Sequence, residues 1–159
     1  MILSTHAIVG GAIASLFPSH PVLVAVAGFA SHFAIDAIPH WDYPLRSVAV
    51  GKSADNRRLK LNALLFRDLT LVGLDACTGL AVALLLFATQ ETRWVVAVGA
   101  IAGMLPDPLQ FAHSIYPREP LTSLQSFHAW IHSKRSLTWR IGVSSQAVFT
   151  IAVAAIALH

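Results

Sequence analysis

Five apolar runs divide the chain and limit what it can fold into. Turns and polar segments separate the runs, which cover residues 2–17, 22–38, 71–89, 94–105 and 141–158. A helix that crosses a membrane needs about 20 mostly apolar residues, and the third and fifth runs reach that length. The pattern predicts an all-α, polytopic membrane bundle with about four to five apolar helices plus one interfacial amphipathic helix. A soluble bundle of buried helices is the alternative.

The composition favours the membrane over the soluble bundle. Only 12% of the residues are charged and the mean hydropathy is +0.63, whereas soluble domains carry about 25% charged residues. So little charge leaves too little polar surface to cover five apolar helices in water. We therefore expect residues 1–159 to form a single membrane domain.

The basic residues predict the orientation of this domain. Ten of the eleven Lys and Arg residues lie in segments 39–70 and 106–140, and Arg93 is the exception. Two apolar runs separate these segments, so both fall on one side, and the positive-inside rule makes that side cytoplasmic. The 39–70 segment is then a basic cytoplasmic loop, the 106–140 segment is cytoplasmic and contains the interfacial helix, and the N-terminus lies inside.

The densest group of ionisable residues lies at the end of the second run. His32, Asp36 and His40 are spaced by four, which places them on one face of a helix, and Asp42 follows closely. Pro39 predicts that the helix ends near Ile38. Ionisable groups in apolar surroundings raise the free energy unless they pair or bind a cation.

A second candidate group lies on a predicted amphipathic helix over residues 122–139. His128 and His132 are one helical turn apart, a spacing that lets two imidazoles bind one metal ion. Trp130 and Trp139 are typical of a helix at the membrane interface. Because such histidine pairs also occur without a metal, the helix alone does not establish a site.

The predicted topology brings these groups and others to the cytoplasmic level of the membrane. The mixture of imidazole and carboxylate favours a divalent metal, zinc first, with manganese or iron as alternatives. Asp36 and Asp42 are candidate proton acceptors, and Asp75 and His113 are candidates to support the ligands. The predicted metal ligands are His6, His32, Asp36, His40, Asp107, His128 and His132. These seven residues are more than one four-coordinate ion can bind. Some would therefore orient the ligands instead of binding the metal, or two metal ions would bind.

Glycines accompany four of the ionisable residues at a spacing of one helical turn. Small residues in a stripe let helices approach closely in lipid, so we expect these faces to meet inside the bundle. The pairs are His6 with Gly10, His32 with Gly28, Asp75 with Gly79, and Asp107 with Gly103.

Short motifs form an ordered pattern along residues 5–133. They are Thr5-His6 with Gly10 after it, an acidic loop after an apolar helix, Leu105-Pro106-Asp107, and His132-Ser133. The pattern resembles the membrane-bound metal-dependent hydrolase family of bacterial inner-membrane proteins. This resemblance implies a bacterial inner-membrane location, metal-dependent hydrolysis and roles for His6, Asp107 and His132. The chain departs from the family's Pro-Asp-x-Asp-His run, because Pro108-Leu109-Gln110 follows Asp107.

The sequence therefore predicts a metal-dependent hydrolase that acts on a lipid or a lipid-linked phosphate or ester at the head-group level, with membrane lipid as its partner. Nucleic acid is not expected, since few aromatic residues interleave the charges. One alternative is a metal or proton transporter, which requires polar residues through the full membrane depth. The other is a non-catalytic membrane scaffold, in which the polar residues hold the helices together.

The orientation can be tested with topology reporters. We expect fusions at Lys52 and Arg118 to report the cytoplasm and a fusion at His159 to report the opposite side, because of the distribution of basic residues. Reporter signals on opposite sides for Lys52 and Arg118 would contradict the two membrane crossings predicted between them.

Overall fold

The computed structural model describes residues 1–47 and 63–159. Residues 48–62 of the predicted basic loop, which include Lys52, Arg57, Arg58 and Lys60, lie outside the described residues. Within the described ranges no β-strand occurs, which confirms the all-α prediction. The helices are α1 (Leu3–Leu16), α2 (Pro21–Asp36), α3 (Ala63–Phe87), α4 (Arg93–Met104), α5 (Pro106–Ile115), α6 (Leu121–Ile131) and α7 (Trp139–Ala157).

Two helices of the described ranges, α3 and α7, are long and apolar enough to cross a membrane. The pair α4 and α5 passes the same test if it counts as one span bent by 46°. The described chain thus provides two or three spans, fewer than the four to five that we predicted. The helices α1 and α2 contain 14 and 16 residues, and α1 extends only about 21 Å at 1.5 Å per residue, against a hydrocarbon core of about 30 Å.

The long helices turn apolar side chains outward. Leu85 on α3 is 84% exposed and Ile156 on α7 is 76% exposed, and Leu74 and Ile151 are also exposed. Large apolar side chains along the outside of a spanning helix are what lipid contact requires. These surfaces support the membrane location.

Helix α1 lies at the centre of the bundle and packs against α2, α3, α4 and α7. Its small side chains Ala7 and Ala14 are fully buried, and so are Val24 of α2 and Val96 of α4. Because the central helix carries small residues, its neighbours approach it closely enough for their polar ends to meet.

The predicted glycine stripes lie at the closest helix contacts. A Cβ atom added at Gly103 would lie 2.6 Å from the carbonyl oxygen of His6. One added at Gly28 would lie 2.9 Å from the carbonyl oxygen of Gly99. These backbone contacts join α1, α2 and α4 at the level of the histidines, as the stripes predicted.

The prediction of one helix over residues 122–139 is wrong. Helix α6 ends at Ile131 and α7 begins at Trp139. Between them the Ser133 N–H donates to the Asp36 carbonyl oxygen at 2.9 Å, and the Leu137 N–H donates to the His40 carbonyl oxygen at 2.9 Å. The chain leaves the helix because these backbone groups pair with the segment that follows α2.

The predicted polar segments also contain helix. Helix α3 begins at Ala63 and so includes the last part of the 39–70 segment. Pro106 ends the fourth apolar run and is also the first residue of α5. Proline suits that position, since the first turn of a helix needs no donor from it.

The glycine contacts predict the effect of a single methyl group. We expect Gly103→Ala to lower the free energy of unfolding by about 1–3 kcal/mol, because the added methyl group overpacks against a backbone atom that cannot easily move. The midpoint of thermal unfolding in detergent micelles should fall accordingly. Gly73→Ala is the matched control, since nothing lies within 4 Å of the added Cβ, and alanine favours a helix by about 1 kcal/mol over glycine. Equal midpoints for the two variants would contradict the close approach of α1 and α4.

Candidate metal centre

Asp36, the last residue of α2, is the centre of the site. Its side chain is 1% exposed. Its Oδ1 lies 3.3 Å from His6 Nε2, and its Oδ2 lies 3.2 Å from His32 Nε2 and 3.1 Å from His128 Nε2. Imidazoles from α1, α2 and α6 therefore converge on one buried carboxylate.

A second carboxylate completes this group. Asp107, in the first turn of α5, places its Oδ1 3.4 Å from His32 Nε2. One ligand atom from each of His32, Asp36, Asp107 and His128 lies within 4.8 Å of all the others. We call these four residues the inner group. They can hold a metal ion, and two imidazoles with two carboxylates suit the metals predicted from the sequence.

Another group shares Asp36 and lies beside the first. Asp36, His40 and His132 also bring one ligand atom each within 4.8 Å of one another. Asp42 adjoins them, with its Oδ1 3.1 Å from His40 Nε2 and its Oδ2 3.6 Å from His132 Nε2. We call His40, His132, Asp42 and the shared Asp36 the outer group.

Backbone carbonyl groups fix the orientation of three imidazoles. The Nδ1–H of His32 donates to the Gly103 carbonyl at 2.8 Å, that of His40 to the Ile38 carbonyl at 2.6 Å, and that of His132 to the Ser133 carbonyl at 3.0 Å. Each bond leaves Nε2 as the nitrogen that faces the carboxylates. Metal-binding histidines are typically oriented in this way by their second nitrogen.

Several of the nitrogens that face the carboxylates have no hydrogen-bond partner. In the described part of the chain, the buried Nε2 atoms of His6, His32 and His40 make no hydrogen bond. In His32 and His40 the ring proton lies on Nδ1, so the lone pair on Nε2 faces a carboxylate and that nitrogen must either take a second proton or bind a cation. The arrangement therefore attracts positive charge.

The pKa shifts of His40 and Asp42 in the outer group also indicate a site that attracts positive charge. Burial lowers the pKa of His40, but the nearby Asp42 carboxylate and the hydrogen bond to the Ile38 carbonyl outweigh it, and the net pKa is raised. Burial raises the pKa of Asp42, but His40 and the amino group of Met1 outweigh it, and the net pKa lies well below its usual range. That amino group lies 2.7 Å from Asp36 Oδ1 and 2.9 Å from Asp42 Oδ1. Asp42 is thus ionised near neutral pH.

The structure brings the predicted ligands and Asp42 into one cluster, but it places Asp75 and His113 outside. Asp75 accepts hydrogen bonds from the Ser4 N–H at 2.9 Å and from the Tyr43 hydroxyl. It therefore supports α1 and the loop after Asp42 rather than an imidazole. His113 is half-buried on α5, and among the described contacts none joins it to the cluster.

Two supporting residues did not enter the sequence prediction. Tyr43 accepts the Leu3 N–H at 3.1 Å. Gln146 accepts the Ile2 N–H at 3.0 Å and donates to the Trp41 carbonyl at 3.0 Å. Both tie the start of α1 to the loop that carries Asp42. Gln146 had a signal, since it is the one carboxamide in the fifth apolar run, and a polar residue there needs a partner.

A cavity of about 640 Å³ adjoins the cluster. Asp36, Asp42, Asp107, His128 and His132 line its polar end. Its apolar lining includes Leu65, Leu69 and Val72 of α3 and Phe111 of α5, and Asp68 of α3 and Lys134 line it as well. The cavity is large enough for a small ligand or part of a lipid.

Fold and site together define a helical protein, with apolar helices able to cross a membrane and a buried His/Asp cluster able to hold a metal ion. No family model, no curated protein and no solved structure matches the chain. The resemblance to membrane-bound metal-dependent hydrolases therefore stays a prediction from short motifs.

The inner group predicts which residues metal binding requires. We expect His32→Ala and Asp36→Ala each to lower bound zinc or manganese in the purified protein, measured by elemental analysis. Loss of supporting residues alone typically lowers metal affinity about 10–100-fold, and loss of a ligand should cost at least that. His20→Ala is the control, because His20 is exposed at the other end of α2. Unchanged metal content in the Asp36 variant would contradict the site.

Proposed function

We propose that this protein is a metal-dependent hydrolase of the bacterial inner membrane, with its His/Asp centre at the cytoplasmic face. The observation that carries the proposal is that buried imidazoles and carboxylates converge at the polar end of a cavity. Closed structural zinc sites are usually rich in cysteine, whereas hydrolytic sites use histidine and carboxylate with room for substrate. The chain's single cysteine, Cys77, is exposed on α3 and takes no part.

The inner group would hold the metal. His32, Asp36, Asp107 and His128 supply two nitrogens and two carboxylates within one ion's reach. A divalent ion bound there supplies a Lewis acid that polarises the scissile group and lowers the pKa of water. Asp36 is engaged by imidazoles at both oxygens, which suits a ligand rather than a proton acceptor.

Asp42 is the better of the two candidate proton acceptors. Its side chain is 46% exposed and lines the cavity, so that it can meet water and substrate. In the proposed reaction the water oxygen forms a bond to phosphorus or to an acyl carbon, while the bond to the leaving oxygen breaks. Asp42 takes one proton from the water, and the leaving oxygen takes a proton from solvent.

The cavity favours an amphiphilic substrate. Its polar end holds the cluster, and its apolar wall lies on α3, a helix able to cross a membrane. A lipid or a lipid-linked phosphate or ester would place its scissile group at the cluster and its chain along Leu65, Leu69 and Val72. Lys134, which lines the cavity and donates to the Ala129 carbonyl, would provide a positive charge for an anionic head group.

The distribution of buried charge does not favour a transporter. In the described part of the chain, the fully buried ionisable side chains are His6, His32, Asp36, His40, Asp68 and His128. All but Asp68 belong to the cluster, and Asp68 lies in the first turns of α3. A transport path requires polar groups through the depth of the bundle, and among the described residues α4 and α7 bury no ionisable side chain, the one buried polar side chain of α7 being Gln146.

The catalytic role of Asp42 can be separated from metal binding. We expect Asp42→Asn to retain the inner-group metal and to lose hydrolysis of a phosphate-ester or carboxyl-ester lipid in mixed micelles by about 10²–10⁴-fold. His20→Ala should keep both properties. Wild-type protein that gains no zinc or manganese and hydrolyses neither ester would refute the proposed function.

A further inference from the structure

We infer that the centre is dinuclear, with a second divalent metal ion held by Asp36, His40 and His132, and with the Asp36 carboxylate as the bridge between the two ions. Asp42 lies beside this second ion and remains the proton acceptor. The inference deepens the proposed function and rests on its inner-group metal. It assigns His40 and His132 as ligands of their own ion rather than as supports of the first.

The first argument is the separation of the ligand sets. The inner imidazoles, His32 and His128, come from α2 and α6, whereas His40 and His132 come from the segments that follow these helices. The two sets share Asp36 and no imidazole. One tetrahedral ion uses about four ligands, which the inner group already provides, so the outer group is surplus to a mononuclear site.

The second argument is the spacing of the outer ligand atoms. The distances from His40 and His132 Nε2 to the oxygens of Asp36 and Asp42 are 3.8, 3.9, 3.1 and 3.6 Å. Most are too long for hydrogen bonds. Ligands about 2.0–2.2 Å from one tetrahedral ion lie roughly 3.3–3.6 Å apart. The four distances fall on both sides of this spacing, with His40 facing the Oδ1 atoms and His132 facing the Oδ2 atoms of the two carboxylates. One ligand atom each from Asp36, His40 and His132 lies within 4.8 Å of the others, which is close enough for one shared ion.

The third argument is the preparation of the ligands. His40 Nε2 is buried without a hydrogen bond, while its Nδ1–H is held by the Ile38 carbonyl. The Nδ1–H of His132 is likewise held, by the Ser133 carbonyl, although this ring is partly exposed. Such bonds orient ligand imidazoles at metal sites, and here both rings turn Nε2 toward Asp36 and Asp42.

The fourth argument is charge. Asp36, Asp42 and Asp107 carry three negative charges when ionised, and neutral imidazole ligands carry none. One divalent ion leaves an excess of one negative charge, which the positive amino group of Met1 balances. Two ions leave an excess of one positive charge, which attracts a phosphate ester. The amino group of Met1 now lies between Asp36 and Asp42, and the second ion would take over that role.

Two ions bridged by a carboxylate define the substrate class more closely. Paired metals about 3.5–4 Å apart stabilise both the attacking and the leaving oxygen in displacement at phosphorus. The dinuclear centre therefore favours a phosphate ester over a carboxyl ester as the substrate of this site.

The test is metal stoichiometry together with electron paramagnetic resonance of the full chain loaded with Mn²⁺ in detergent. We expect wild-type protein to bind about two ions and to give the exchange-coupled spectrum of a bridged pair. His40→Ala and His132→Ala should each bind about one ion and give an isolated six-line signal. His113→Ala, a half-buried histidine outside the cluster, should resemble wild type.

The outcomes separate this inference from the proposed function. Wild-type protein that binds one ion and shows no coupling would overturn the dinuclear centre while leaving the proposed hydrolysis intact. The same conclusion would follow if His40→Ala and His132→Ala both still bound about two ions. Two coupled ions without hydrolysis of any ester would overturn the proposed function alone. If a variant fails to fold, as judged by helical circular dichroism, the coupling in wild-type protein still decides the question.

Discussion

The burial of the Asp36 carboxylate is the constraint on which the rest of the site depends. A carboxylate at the end of an apolar helix loses its hydration, and the lost free energy must be recovered from positive charge or hydrogen-bond donors. The surrounding elements are arranged to do this, because α1, α2 and α6 each direct an imidazole at its oxygens. Imidazoles that lack protons at these positions leave a place for a cation.

Close packing makes this convergence possible. His6 and His32 belong to different helices, yet their rings stack with centroids 3.8 Å apart. Gly103 lets α4 contact the backbone of α1, and Gly28 lets α2 contact the backbone of α4, so α1 and α2 both approach closely against α4. The glycines and the histidines therefore act together. Glycines on one helical turn allow the helices to pack closely, and this packing positions the candidate ligands on the neighbouring turn.

Helix-based predictions succeeded where the chain repeats with the period of a helix. The spacing of His32, Asp36 and His40 placed them together, and the glycine stripes marked the faces that meet. The same periodicity failed after Ile131, because backbone pairing with Asp36 and His40 outweighs the helical tendency of residues 132–138. The apolar runs also predicted too many membrane-spanning helices, since a run does not reveal that its helix is only 14 or 16 residues long. Tyr43 and Gln146 act through loop contacts that no local pattern encodes.

The pairing of residues 133–137 with residues 36–40 has a consequence for how the protein is made. The Ser133 and Leu137 amides bind carbonyls almost one hundred residues earlier in the chain, so this contact has a high sequence separation and closes late. During synthesis α1 and α2 leave the ribosome with their histidines and Asp36 already in place but with His128 and His132 still to come. The His/Asp cluster is therefore complete only once α6 and the segment after it have been synthesised.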